Sequence, residues 1–423
     1  MAENSFLNPD VQNELSEIKE ADIVVGIPSY NNVGTISQVV RAVNAGLVKY
    51  FPKEKSVLIN SDGGSSDGTQ EKVLNTSMDD LSTILVSHPL YPVHKIVTPY
   101  HGIPGKGSAF RTIFKIAESL NAKACAVVDS DLRSITPEWI ELLIAPILKE
   151  GFDYVAPLYS RHKFDGTITN SIVYPLTRAL YGKQIRQPIG GDFGFSGEVA
   201  KFYLTKDVWD TDVAKFGIDI WMTITAVSNG YNICQSYLGA KIHDKKDPGQ
   251  DLSAMFTQVV STIFTLMIDN YAVWPQIRNT VKVPVFGFHY EVGTDPVRVN
   301  IERMVNIFKQ GLNDLEPILE TIVDKEILED LRSLTKYNAN DFHFHDDLWV
   351  KVVYNYAVAH FKAVINRDHI LKSMIPLYLG RTASFVIENL DSEAQEVEDK
   401  IEKLCQRFED LKPYLLDKWI GKN

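Results

Sequence analysis

The chain has 423 residues, of which 45% are hydrophobic, 23% charged and 10% aromatic. That balance excludes a disordered chain, a mini-protein and a simple repeat peptide, and at ~150 residues per domain the length accommodates roughly two to three domains. With 43 Lys plus Arg against 54 Asp plus Glu the formal net charge is −11, so nucleic acid and anionic membranes are not expected partners and an anionic substrate needs a local basic site.

The first stretch, MAENSFLNPDVQNELSEIKE, has neither a basic start nor an apolar h-region and does not read as a secretory signal. Ala21 to Ile27 (ADIVVGI) and Ser56 to Ile59 (SVLI) read as strands joined by a helix from about Thr35 to Phe51. A helix over about Ser108 to Asn121 leads into a third strand, Ala124 to Val128, and Asp153 to Pro157 reads as a fourth. Apolar strands without period-two alternation, separated by helices, indicate an α/β domain with a mainly parallel sheet covered on both faces. In such sheets ligands lie beyond the carboxyl ends of the strands, here Pro28 to Asn32, Asn60 to Thr69 and Asp129 to Asp131.

After about residue 250 the pattern turns to helices, at 251–274, 295–321, 324–335, 346–364, 367–389 and 392–411. A boundary at Asp247 to Gln250 (DPGQ) divides the chain into an expected α/β domain, 1–250, and a helical domain, 251–423. Leu252 to Ile268 is uncharged, but Ser253, Thr257, Ser261 and Thr265 recur every fourth residue, which makes an amphipathic helix rather than a membrane span. Cys125, Cys234 and Cys405 are far apart and odd in number, so reduced thiols are expected in place of disulfides or a zinc site. These features lead to the expectation of a cytoplasmic protein, and the apolar stripes on several helices of the second half to the expectation of self-association there as a homodimer.

Asp129-Ser130-Asp131 follows the third strand directly, and two carboxylates at a strand end suit a hard divalent cation that keeps positions open for phosphates. The loop INSDGGSSDGT, 59–69, offers backbone amides and the Asp62 carboxylate to a base or ribose. Pro104-Gly105-Lys106-Gly107 sets a lysine before a helix start and suits a diphosphate, although it is not a Walker loop. His243 ends the strand-like run SYLGAKIHD, and its imidazole is compatible with a manganese or magnesium site that two aspartates leave incomplete.

In order, VGIPSYNNVGTI, NSDGGSSDGT, PGKGSA and VVDSDL resemble the nucleotide-sugar half of a GT-A glycosyltransferase, a Rossmann-like fold. The following SRHKFDGTITN, QPIGGD, GID and His243 resemble the retaining mannosylglycerate synthase and glucosyl-3-phosphoglycerate synthase group, over about residues 22–247, with the helical extension resembled more faintly. The resemblance implies a divalent Mg2+ or Mn2+ ion held by Asp129, Asp131 and His243. It implies a nucleotide diphosphate sugar (GDP- or UDP-glucose, or GDP-mannose) held by Pro28, Tyr30, Asn31, Asn32, Asp62, Lys106, Ser130, Gly190 and Gly191. The acceptor, D-glycerate or 3-phosphoglycerate, falls to Arg161, Asp165 and Thr169, since the planar guanidinium fork of arginine grips a carboxylate in a bidentate way. Asp192 and Asp219 are the implied catalytic carboxylates, with Asp219 either a positioning group or a base or nucleophile. The group often has Glu after the first-turn Asn, whereas Asn32 follows Asn31 here, so the base preference does not transfer. His162 and Lys163 beside Arg161 form a basic cluster suited to a phosphate on the acceptor. A transferase for a lipid or polysaccharide acceptor, and a non-catalytic nucleotide-sugar binder, are the alternative readings.

Overall fold

The structure, a computed structural model, describes residues 7–76, 93–100, 102–242, 253–289, 297 and 299–421. In chain order the described strands are β1 (Ile23–Ser29), β2 (Ser56–Asp62), β3 (His94–Pro99), β4 (Ala124–Val127), β5 (Tyr154–Ser160), β6 (Lys183–Gln184), β7 (Phe193–Ser196), β8 (Ile233–Ala240), β9 (Val281–Lys282) and β10 (Val285–Phe286). By its contacts the chain forms two compact units. One comprises Met1–Ser160, Gln187–Asp244 and Val283–Thr294, and the other Arg161–Arg186, Lys245–Lys282 and Asp295–Asn423.

The first unit is an α/β sheet in the order β10-β8-β5-β7-β4-β1-β2-β3. Its neighbours are parallel except around β7, which runs antiparallel to both β4 and β5. The mainly parallel sheet expected from the uninterrupted apolar runs is therefore present, and β1, β2, β4 and β8 are buried at every position. Helix Ile36–Tyr50 contributes Val39, Val40, Val43 and Leu47, and helix Pro137–Glu150 contributes Ile140, Leu143 and Ile144, to one core with Ile23, Val25 and Ile27 of β1. Each such side chain stabilises the fold by about 1.5–3 kcal/mol on burial. Strand β7 has no counterpart among the sequence expectations, because Phe-Gly-Phe-Ser preceded by Gly190-Gly191 carries the turn signals of a loop. Its direction matters for function, since the residue before it, Asp192, is brought to the same edge as the carboxyl ends of β4 and β5.

The second unit is mostly helical. The long 295–321 pattern is divided into helices Ile301–Asp314 and Glu316–Ile322, the second with Pro317 in its first turn, where a missing N–H breaks no intrahelical bond. Segment 161–186 belongs here rather than with the sheet, which differs from a single cut near residue 250. The reason lies in its partners: Tyr174 packs with Val397, Ile401 and Cys405, Arg178 pairs with Glu402 and Glu409, and Arg186 pairs with Glu398. The mixed-charge helix Ala394–Asp410 thus carries ion-pair partners on a face that its sequence alone presents as solvated. Asp247 to Gln250 and His243 lie outside the described residues.

Leu252 to Ile268 forms the expected helix, observed as Ser253–Asp269. Among the described residues one helix, Arg367–Ile387, is long and apolar enough to cross a membrane, yet 67% of its apolar window is buried in the protein. Arg381 lies within it, buried and paired with Asp346. All three cysteines are free and buried.

The layers pack closely at Gly194 in the middle of β7, where a Cβ atom would lie 2.1 Å from the Leu143 carbonyl oxygen and 2.9 Å from its carbonyl carbon. The two nearest atoms are backbone, so Gly194→Ala is expected to destabilise the protein by ~2–4 kcal/mol, read as a lower midpoint in denaturant unfolding. Gly230→Ala, with nothing within 4 Å of its added Cβ but a φ of +76°, is expected to cost only about 1 kcal/mol.

Candidate active site

The carboxyl edge of the sheet gathers a buried line of alternating charge. Asp129, just past β4, is held through Oδ1 by the Lys106 ammonium at 2.9 Å and through Oδ2 by the Lys241 ammonium at 2.7 Å. Lys106 reaches on to Asp219 Oδ2 at 3.1 Å, and Lys241 to Asp192 Oδ2 and the Gly190 carbonyl oxygen, each at 2.7 Å. The Asp129 amide donates to Asp192 Oδ1 at 2.7 Å, and the Tyr159 hydroxyl also donates to Asp192. Among the described residues the second oxygen of Asp219 is buried and has no hydrogen-bond partner.

Each member is placed by the fold. Lys106 opens helix Lys106–Ser119, Asp219 sits in the first turn of helix Ile218–Ser228, and Lys241 follows the fully buried β8. Gly191 has φ +92°, and a Cβ there would come within 2.3 Å of Asp129 Oδ2, so side-chain-free backbone is required for the lysine and carboxylate to meet. The Gly105 and Gly107 pair, which the sequence offers to a diphosphate, is instead demanded by packing. A Cβ at either would meet the backbone of Val213 to Lys215, and the Gly107 amide donates to the Lys215 carbonyl oxygen at 3.2 Å.

The electrostatics follow from burial and pairing. Burial opposes ionisation of Asp129, but Lys106 and Lys241 outweigh it and hold its carboxyl well below the usual carboxylate range. Burial likewise opposes the charge of Lys106, and Asp129 and Asp219 overcome it and raise its pKa. Asp192 and Asp219 are pushed up, in each case by burial first; a lysine pulls each down and Asp129 adds to the upward push.

Asp131, the other carboxylate of the pair, is partly exposed, and among the described residues nothing pairs with it. Its hard oxygens therefore fit a magnesium or manganese ion that keeps water and phosphate ligands. Asp129 differs from the expectation for an open ligand, since both of its oxygens are taken by ammonium groups. Among the described residues no three His, Cys, Asp or Glu side chains form a ready metal cluster, and the expected third ligand, His243, lies outside them.

The nucleoside side is a pair of loops that hold one another. The Asn31 amide donates to Ser65 Oγ at 2.8 Å, the Ser66 amide to Asn31 Oδ1 at 3.0 Å, the Asn32 amide to Thr69 Oγ1 at 2.9 Å, and Ser130 Oγ to Asn32 Oδ1 at 2.8 Å. Asn31 takes the left-handed conformation, φ +53°, and Tyr30 beside it is exposed while Pro28 is buried in β1. Asp62 is turned into its own loop: it accepts from the Gly64 and Ser65 amides, Gln70, Ser29 and Ser65 Oγ at 2.7–2.9 Å. Its carboxylate thus shapes the loop, a use of a buried aspartate that a Gly-Ser-rich sequence does not distinguish from ligand binding.

In the helical unit Arg161, Asp165 and Thr169 gather around Gly166. Arg161 Nη1 lies 3.7 Å from Asp165 Oδ2, and both Arg161 and Thr169 come within 4 Å of a Cβ built on Gly166. The neighbouring basic cluster is not free for a phosphate. Lys163 donates to the Leu390 and Ser392 carbonyl oxygens, at 2.8 and 2.9 Å, and His162 Nδ1 accepts from the Phe164 amide at 3.2 Å. Lys241 and Tyr159 are the site residues that motif reading passes over. A lysine directly after the strand-like run that ends in Ala240 was the available signal for the first, and an ordinary strand tyrosine gives none for the second.

Residues 94–265 match the family model described as mannosylglycerate synthase, GT domain. That segment is similar to the group the sequence resembles. It contains Lys106, Asp129, Asp131, Asp192, Asp219 and Lys241 together with Arg161, Asp165 and Thr169. Solved structures similar to the chain include glucosyl-3-phosphoglycerate synthase from Mycobacterium tuberculosis with Mn2+, UDP and glucosyl-3-phosphoglycerate, at 22% identity over 60% of this chain and 83% of that one, TM-score 0.43. The same enzyme with Mg2+ and UDP is 22% identical over 60% and 82%, TM-score 0.43, and a mycobacterial protein is 20% identical over 62% and 78%, TM-score 0.43. No curated protein sequence matches significantly.

The clamp on Asp129 has a defined pH signature. Its folded pKa is depressed, so the stability it contributes is present above about pH 4, its unfolded value, and is lost as pH falls from there through the folded pKa. Asp129→Asn is expected to lower stability by ~3–5 kcal/mol at neutral pH. In thermal unfolding from pH 6 to pH 2.5, the gap between the two proteins is expected to narrow below about pH 4.

Proposed function

We propose that the protein is a metal-dependent retaining glycosyltransferase that moves glucose or mannose from a nucleotide diphosphate sugar to D-glycerate or 3-phosphoglycerate. The observation that carries this reading is a coincidence of place. The segment matching the mannosylglycerate synthase GT domain is the one that holds the clamped Asp129, the open Asp131 and the buried Asp192 and Asp219 at the sheet's carboxyl edge.

In this reading Asp131 and His243 hold a magnesium or manganese ion, with Asp129 fixing the strand end from which Asp131 projects. When bound, the ion supplies Lewis-acid neutralisation of the departing diphosphate. Lys106 and Lys241 keep fixed positive charge beside the position where negative charge builds during departure, a preorganised field that needs no rearrangement in the transition state. The 30–32 turn, tied to Ser130 and to the 62–69 loop, receives the nucleoside. Gly190 and Gly191 let the donor sugar approach backbone, and the unpartnered oxygen of Asp219 accepts a hydrogen bond from it. Arg161 grips the acceptor carboxylate through its planar fork, with Asp165 and Thr169 on the acceptor hydroxyls. The acceptor oxygen forms the new bond to the anomeric carbon on the face from which the diphosphate leaves. A departing phosphate oxygen takes the acceptor's proton, and Asp219 positions rather than attacks.

The test is a product matrix with GDP-glucose, UDP-glucose and GDP-mannose as donors and D-glycerate or 3-phosphoglycerate as acceptors, read by mass and by anomeric NMR, with and without chelator. An α-linked product that disappears on chelation is expected. Asp131→Ala is expected to lower kcat roughly a hundredfold or more with an unchanged melting temperature, because its carboxylate makes no described contact. Full turnover in chelator sinks the metal assignment, and silence in every combination with donor still bound points to a lipid or polysaccharide acceptor.

A further inference from the structure

The helical unit contains a second candidate site, a cavity of ≈ 80 Å3 between the turn that follows Thr169 and the helices Arg367–Ile387 and Ala394–Asp410. That volume is roughly two to three waters at ~30 Å3 each, and so a molecule of a few heavy atoms. Its charged lining consists of Arg381, Lys400 and Lys403 against Asp346 and Glu388.

Both carboxylates are already engaged. Asp346 is paired with Arg381, while Glu388 accepts from Ser384 Oγ at 2.6 Å and lies 2.7 Å from His343 Nδ1. The cations are less well matched. Among the described residues Lys400 donates only to uncharged acceptors, the Glu388 carbonyl oxygen, Asn389 Oδ1 and Ser392 Oγ, at 2.7, 2.9 and 3.3 Å. Among the described residues no partner engages Lys403. Arg381 is 4% exposed, and among the described residues its Nε is buried without a hydrogen-bond partner. An unmet donor in such a place costs about 1–3 kcal/mol unless something accepts from it. The rest of the lining includes apolar Phe385 and Leu404.

We infer that this cavity binds a small oxyanion, a carboxylate or a phosphate, against the unmet Nε donor of Arg381 and the ammonium groups of Lys400 and Lys403, which leave the lining with one positive charge in excess. An oxyanion supplies acceptors for a guanidinium edge and an ammonium at once, which water does only as a neutral partner. The site is separate in its residues from the Arg161, Asp165 and Thr169 group, but it shares their segment. Asn170 and Ser171 line the cavity and belong to the π-helical turn Thr169–Val173, a wide turn found most often at functional positions. An occupant therefore stiffens the turn that begins at Thr169, and the inference stands whether or not the transferase reading holds.

The experiment uses the full chain, titrated by calorimetry separately with inorganic phosphate and with lactate, and followed by hydrogen-exchange mass spectrometry. Saturable binding of at least one anion is expected, with slower exchange across 169–173 and 381–404. Lys403→Glu is expected to weaken it about five- to tenfold, and Leu404→Phe, which fills the apolar side while leaving the charges, to abolish it. Arg161→Ala distinguishes the acceptor group, since it is expected to leave this binding intact. Phosphate alone binding identifies a phosphate site and lactate alone a carboxylate site. Absence of saturable binding of either anion, or binding that is unaffected by both cavity variants, overturns the inference.

Discussion

Asp129 lies between two ammonium groups, Lys241 buried and Lys106 half-buried, and the arrangement of the sheet edge depends on that clamp. Three carboxylates and two lysines are withdrawn from water in one line, Asp219–Lys106–Asp129–Lys241–Asp192. Taking any one of them alone out of water costs several kcal/mol, and only the alternation of sign recovers it. The line also ties together parts of the chain that are distant in sequence: a helix start near residue 106, a strand end near 129, the entry to β7 at 192, a helix first turn at 219 and the end of β8 at 241. A buried carboxylate with both oxygens occupied is a poor ligand and a good anchor. That division leaves its neighbour Asp131 as the open one.

The same edge shows why small residues cluster there. Glycine at 191 permits the approach of Lys241 to Asp129, and glycines at 105 and 107 let helix Lys106–Ser119 start against the backbone of residues 213–215 so that Lys106 reaches inward. These glycines act on the site through packing, by allowing charged side chains to converge, rather than by presenting free amides to a phosphate. The loops at 30–33 and 62–69 follow a related logic, since their Asn, Asp and Ser side chains are occupied with one another and hold open a shaped rim with Tyr30 exposed beside it.

Much of the fold was legible because parallel strands buried on both faces are continuous apolar runs and the helices between them carry period-3.6 stripes. ADIVVGI, SVLI and ACAVV each became a central strand. The runs that were missed are mostly short or broken by glycine, β7 being four residues long and β6, β9 and β10 two each, while the six-residue edge strand β3 was missed because His94, Lys95 and Thr98 interrupt its apolar residues. At the site, Asp129 and Lys106 were legible from their places after a strand and before a helix, whereas Asp192 and Asp219 entered only through the family resemblance, since the strand that follows Asp192 was not expected. Lys241 and Tyr159 were not, since a lysine just past a strand and a tyrosine within one look like surface and core until their partners are known. Asp62 and Lys163 were misleading for the converse reason: each has the chemistry of a ligand-binding group, and each is engaged by its own surroundings.

The sequence by itself determined the alternation of strand and helix, the positions where strands end, and hence which carboxylates could stand at a ligand-binding edge, because hydrophobic periodicity and turn chemistry are local properties. Only the tertiary structure decided which charges pair. A salt bridge between residues more than a hundred positions apart is set by strand order, by the reversed direction of β7 and by the clearance above Gly191, none of which is written in any short stretch of chain. It also decided that segment 161–186 belongs with the helices, because its arginines find their carboxylates on helix Ala394–Asp410, more than two hundred residues away. Long-range Coulomb and packing partners are chosen by geometry, and geometry exists only once the chain has folded.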